Sequence, residues 1–202
     1  MAQSPLVSMI TKQLGKMAID TMAKKIGGGS RATGSAVDSL IPVILNGMFK
    51  NTKKPHGAED FHKAVVKDHD GSVLNDLAGA LLNPNKKAGD GILKHVLGNK
   101  RPRVENAIGK NAGLSPQMVG QLATMLAPII MGMIGKQQKT NNLNQGGLAD
   151  LLGMANGVSK KEHPKSMSMV EKLLDTDGDG DVSDDIMKMG SKFLTNFLTT
   201  SR

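Results

Sequence analysis

A chain of 202 residues without cysteine is long enough to bury a core of its own, and it excludes disulfide scaffolds and thiolate metal sites. Its only aromatics are four Phe, so the core must come from aliphatic side chains and 14 Met, whose flexible thioethers fill irregular gaps but specify one packing weakly. The net charge of +8 is uneven: residues 1–174 carry 23 Lys and Arg against 12 Asp and Glu, while residues 175–185 carry six Asp and no base, which points to a solvated basic surface or, more sharply, to contact with nucleic acid or another acidic surface.

Residues 1–11 show no basic region ahead of an apolar run, so no secretory signal is expected and the chain is assigned to the cytoplasm. Met9, Ile10, Leu14, Met17, Ile19 and Met22 recur near helical spacing and predict a first helix over 7–26, stopped by Gly27, Gly28 and Gly29. Residues 37–49 predict a second, with Pro42 inside it; an interior proline removes one hydrogen bond and kinks a helix. An apolar segment at 61–66 leads into a short acidic stretch. Two short helices are expected at 92–97 and 104–111, broken around Arg101 and Pro102. Residues 117–134 predict a strongly apolar helix with its own proline, Pro128. Its densest part, 122–135, is too short for a comfortable membrane span and reads as a buried helix. One more helix is expected at 147–154. Residues 136–145 and 156–165, polar and uncapped, read as mobile linkers. No run alternates as a strand does, so the fold class is all-α.

These elements recur. Residues 39–49 read SLIPVILNGMF and residues 125–135 read MLAPIIMGMIG, so Leu40 and Pro42 match Leu126 and Pro128. Residues 68–77, DHDGSVLNDL, and 177–186, DGDGDVSDDI, share the frame D-x-D-G-x-V-x-(N/D)-D-(L/I). Each follows an apolar segment, 61–66 and 170–174, and Pro55 and Pro164 stand at the same offset upstream. Two matches in one order predict a tandem-duplicated helical protein with Pro-kinked apolar core helices and helix–acidic loop–helix corners. The expected units are a first helical repeat at 1–90, the body of the second at 91–155, a linker at 156–165 and a C-terminal helix–calcium loop–helix at 166–202.

The second acidic stretch carries the most specific chemistry. Calcium takes about six to eight oxygens, and a tight loop supplies them when alternate residues bear carboxylates and a Gly at the sixth position allows the sharp turn. Asp175, Asp177 and Asp179 occupy the first, third and fifth positions and Gly180 the sixth. Asp181 offers its backbone carbonyl at the seventh, Val182 an apolar anchor at the eighth, and Ser183 a ligand, direct or through water, at the ninth. The twelfth position, where a bidentate Glu belongs, is Ile186; Asp185 closes the shell from a shorter loop, or a water does. The pattern D-x-D-x-D-G resembles loops of EF-hand and dockerin type. Ca2+ is therefore the expected ion, ahead of Mg2+, which demands octahedral geometry and keeps its waters. The competing reading is a solvated Asp-rich turn that caps the next helix. Asp68, Asp70 and Asp76 form a weaker second set, with Val66 where the first ligand would stand. The favoured reading there is a helix corner in which Asp70 caps the following helix.

Other constellations are weak. His56, His62, His69, His95 and His163 make no H-E-x-x-H pair, and the chain has neither a nucleophile elbow nor a phosphate-binding P-loop. Residues 109–122, GKNAGLSPQMVGQL, place Gly113, Ser115 and Val119 near the positions of a DNA-reading corner. The face that would read bases offers Gln117, Gln121 and Thr124, with no Arg or Lys.

Four segments carry a family resemblance: GILKHVLGNK at 91–100, NAGLSPQMVGQLATMLAPIIMGMIGKQ at 111–137, GGLADLLG at 146–153 and KLLDTDGDGDVSDDI at 172–186, with KDHDGSVLNDL at 67–77 beside them. Together the chain resembles the YidB-like bacterial family, a domain of unknown function. The resemblance implies a helical fold with D-x-D-G loops and implies no catalytic residues.

The reading reached is a non-enzymatic, calcium-binding helical structural or interaction protein of bacterial type. Calcium would pin a C-terminal helix, 186–198, against the Met-rich core, and the partner would be an unidentified protein or a second copy of the chain. The alternative is a basic helical protein that binds nucleic acid or another anionic surface through residues 94–103 and Lys110. A third reading is an enzyme with a site distributed along the chain.

Overall fold

The computed structural model describes residues 5–162, with side chains over 6–156. Among the described residues are eight α-helices and two 310 turns, and no strand. In chain order they are α1 (Pro5–Ile26), α2 (Ser30–Thr52), α3 (Gly57–Asp68), a 310 turn (Ser72–Leu74), α4 (Leu77–Leu82), α5 (Lys86–Leu97), a second 310 turn (Gly98–Lys100), α6 (Arg101–Ala112), α7 (Pro116–Asn141) and α8 (Gln145–Glu162). The protein is all-α over this span, as the periodicity predicts.

The two proline-bearing helices form the centre. Leu40, Ile41, Ile44, Leu45 and Met48 of α2 are fully buried, as are Leu122, Leu126, Ile130 and Ile134 of α7. Helices apolar on most faces must be enclosed by others, whereas amphipathic ones can lie outside with one stripe inward. The surrounding helices do the latter: α1 contributes Leu6, Ile10, Leu14 and Met22, α5 Leu93 and Leu97, α6 Val104 and Ile108, and α8 Leu148 and Leu152. One apolar cluster runs from Leu6 to Ala155, so residues of both predicted halves share a core. Ser30–Thr52 and Pro116–Asn141 are also long and apolar enough to cross a membrane; 67% and 83% of their most apolar windows are buried inside the protein.

Several boundaries differ from expectation. Residues 136–145 are not a linker: α7 continues to Asn141, Asn142 closes it in a left-handed conformation (φ 49°), and the side chain of Asn144 accepts the N–H of Gly147 at 2.9 Å to start α8. Residues 156–162 continue α8. Lys and Gln are good helix formers, and the two asparagines are the caps that the polar composition hid. Arg101 and Pro102 do not break a helix but begin one, where a proline's missing N–H costs no bond. The break falls instead at Gly98, with φ 52°. Within α1, Gly15 adopts φ 44° and ψ 179°, a break that the apolar spacing gave no sign of. Helices α2 and α7 run through Pro42 and Pro128 unbroken. Pro128 cannot donate to the carbonyl of Thr124, and α5 approaches that carbonyl with Gly89, where a Cβ would collide with it.

Candidate functional site

The first acidic stretch lies at the turn between α3 and α4. The carbonyl of His69 presses on Gly135 of α7, where any Cβ would strike it, and Val73 occupies the space above Gly132. Gly71 turns the chain at φ 96°, a conformation that favours glycine. The stretch is thus seated on a patch of α7 from which side chains are missing. Asp70 accepts the N–H of Ser72 at 3.0 Å and the ammonium of Lys139 at 2.8 Å. Lys139 and then Ser72 hold its carboxyl well below the usual carboxylate range. Asp76 accepts the N–H of Gly79 at 2.8 Å and is the residue that caps α4. Asp68 is the exposed last residue of α3. The weaker acid set is therefore spread over the end of α3, the pairing with Lys139 and the start of α4. Among the described residues no group of three His, Cys, Asp or Glu is placed to hold a metal ion. Residues Asp175, Asp177, Asp179, Asp181, Ser183 and Asp185 lie outside the described residues, as does His163.

Within the basic patch predicted at 94–103, Arg101 turns toward acids of α5 and of its own helix. Arg101 donates to Asp90 at 2.8 Å, to Glu105 at 2.7 Å and to the Thr124 hydroxyl at 3.2 Å, and that hydroxyl donates to Asp90 at 3.0 Å. The bond from Arg101 holds the Asp90 carboxyl below its ordinary range. This network ties α5, α6 and α7 together. Lys94, Arg103 and Lys110 are exposed.

A cleft of about 670 Å³ opens between α3 and α5, within the size range of small-molecule sites, roughly 300–1,000 Å³. Its floor is Met48 of α2 and Met131 of α7, both buried, and its walls are Phe61 of α3 and Ile92 and Val96 of α5. Asn51 donates to the carbonyl of His95 at 2.6 Å, which brings the C-terminal ends of α2 and α5 together beside the cleft, and Lys54 lines it too. His69, Asp68 and Lys87 also line it. Burial pushes the His69 imidazole below its ordinary value, against the pull of Asp68. The cleft leaves no contiguous mark in the sequence because its walls meet only in the folded chain. The available signal was small residues at helical spacing, Gly57 and Ala64 on α3, Ala88 and Gly91 on α5.

Compared with known proteins, residues 8–137 match the model of a bacterial family of proteins of unknown function, DUF937. The match spans α1 through most of α7; the segments at 146–153 and 172–186 lie beyond it. No curated protein and no solved structure matches.

Proposed function

We infer the role of this chain, which belongs to the bacterial family of unknown function DUF937, from its own residues. It is a calcium-binding helical interaction protein of the bacterial cytoplasm, without catalytic activity. The observation that carries this reading is the spacing of Asp175, Asp177, Asp179 and Gly180, which supplies carboxylates at alternate positions and the turn that lets them converge. Asp181 adds a carbonyl, Ser183 a direct or water-borne ligand, and Asp185 the closing carboxylate. Six Asp in eleven residues repel one another without a counter-ion, so calcium would order the helix at 186–198 and present it to a partner protein or a second copy of the chain. Calorimetry on the full chain tests this: one calcium per chain is expected. Asp177→Ala weakens it by more than about tenfold, since affinity follows ligand charge, and Asp70→Ala leaves it unchanged. Two equivalent ions, or equal losses at both positions, would defeat the assignment.

The duplication belongs to the same proposal. Its support is that α2 and α7, each with an internal proline, sit side by side at the centre, and that 68–77 shares the frame of 177–186. The turn after α3 is then a copy that has lost its first ligand to Val66 and lent Asp70 to Lys139. Restoring it in the double variant Val66→Asp, Lys139→Ala should add a second, weaker calcium in native mass spectrometry; a stoichiometry fixed at one would count against descent from a metal loop.

The second reading, binding to nucleic acid or another anionic surface, is favoured by the exposure of Lys94, Arg103 and Lys110 and weakened by the ion pairs of Arg101 with Asp90 and Glu105. It requires a gel shift lost steeply with salt; retention independent of salt would reject it.

A further inference from the structure

Two stretches of the chain carry bases and no acid. Residues 21–37 hold Lys24, Lys25 and Arg31, and residues 77–89 hold Lys86 and Lys87. The fold joins them: α4 packs on α1, and Lys25 donates to the carbonyl of Leu82, the last residue of α4, at 2.6 Å. Lys24, Lys25, Lys86 and Lys87 are exposed. Of the acids that border the two stretches, Asp76 caps the opposite end of α4, Asp90 is held by Arg101, and Asp38 lies two turns into α2. Asp20 is left against four lysines. Lys24 and Lys25 suit the end of α1, where a helix favours positive charge. Lys86 and Lys87 stand in the first turn of α5, where positive charge opposes the helix dipole, and no acid in that turn offsets them. Helix stability accounts for the first pair and not for the second.

The same face carries exposed apolar side chains. Beyond the break at Gly15, Met17, Thr21, Lys24 and Lys25 fall at i, i+4, i+7 and i+8, one stripe of α1 that ends beside Leu82. Met17 is 85% exposed and Leu82 53%. One exposed apolar residue signifies nothing. Two of them set among lysines match what an anionic bilayer asks of a peripheral protein: aliphatic tips for the acyl boundary and ammonium groups for the lipid phosphates. Nucleic acid would use the lysines alone. Neither stretch holds an aromatic that could stack on a base, and Met17 and Leu82 would gain nothing against a phosphate backbone.

We propose that this face, formed by Met17, Lys24, Lys25, Leu82, Lys86 and Lys87, docks the protein on an anionic lipid bilayer. The contact is peripheral, and α2 and α7 stay inside the protein. Flotation of the full chain with vesicles of phosphatidylglycerol and phosphatidylcholine in equal parts, with chelator present, tests the proposal. The protein should float with these vesicles and not with pure phosphatidylcholine, and added salt should release it. Lys24→Glu should weaken the partition about tenfold or more, because it reverses a charge at the lipid surface. Lys67→Glu makes the same change at an exposed position of α3, which packs on α2, α7 and α8, and should alter the partition less than about twofold. Met17→Ser with Leu82→Ser should weaken it about tenfold, through loss of the apolar contact. All four positions are exposed, so the variants should share the unfolding midpoint of the unmodified chain. No flotation, or equal flotation with neutral vesicles, would overturn the proposal. Equal losses from Lys24→Glu and Lys67→Glu would mean that net charge acts and not this face. An unchanged partition in the serine pair would reject the apolar contact, and a gel shift of duplex DNA that Lys24→Glu abolishes would give the face to nucleic acid instead. The chelator keeps the outcome separate from that of the calcium assignment.

Discussion

Two glycines of α5 separate packing from helix propensity. Gly89 is buried against the backbone of Thr124, and Gly91, half a turn on, faces open space. Gly89→Ala should therefore cost about 1–3 kcal/mol, since a rigid carbonyl must move. Gly91→Ala should gain up to about 1 kcal/mol, since alanine loses less entropy in a helix. Urea unfolding of the two variants would show opposite shifts in midpoint; shifts of one sign would mean that α5 does not dock on α7 through Gly89. Arg101→Ala should cost about 1–3 kcal/mol, because it strips the largely buried Glu105 of a charged donor, and it should exceed the effect of Lys139→Ala, whose ion pair with Asp70 is the more exposed of the two. Neither role was legible in the sequence. A glycine required by a carbonyl 35 residues away leaves no local sign, and a count of bases in 94–103 cannot tell an arginine facing acids from one facing solvent.

At the scale of elements, helices were legible where apolar residues recur with the helical period, and their ends were not. The polar run after Ile134 has no periodicity to read, yet it completes α7 because Asn142 and Asn144 supply the stop and the start. The turn after α3 was legible as a corner rich in Asp, but its seat on Gly132 and Gly135 was not. That turn carries a pH signature. His69 has a folded pKa below its unfolded value, so its contribution to stability is present above about pH 6.5 and is lost as pH falls, when the unfolded chain takes up the proton first. Asp70 and Asp90 are also depressed, and their contribution is present above about pH 4 and is lost as pH falls through the folded values. The unfolding midpoint should thus decline in two stages on acidification. His69→Gln should flatten the stage between about pH 7 and pH 5 and leave the lower one; an unchanged profile would show that His69 is not held neutral in the fold.

On the scale of the whole molecule, α2 packs directly on α1, α3, α5, α6, α7 and α8, and α4 packs on α1 and α7. Residues 6 to 155 share one apolar cluster, so the body should unfold in one cooperative transition, with the same midpoint by helix content and by exchange of α2 and α7 amides. Calcium acts elsewhere in this account. Calcium bound as proposed would contribute RT ln(1 + [L]/Kd), about 2.7 kcal/mol at a hundredfold excess over Kd, and we propose that this contribution falls on the segment around the loop. Hydrogen exchange on the full chain, with calcium and then with chelator, tests that claim most directly. Chelation should deprotect residues 170–198 and leave the amides of α2 and α7 as slow as before. Identical exchange in both conditions, or equal deprotection of the entire chain, would contradict it.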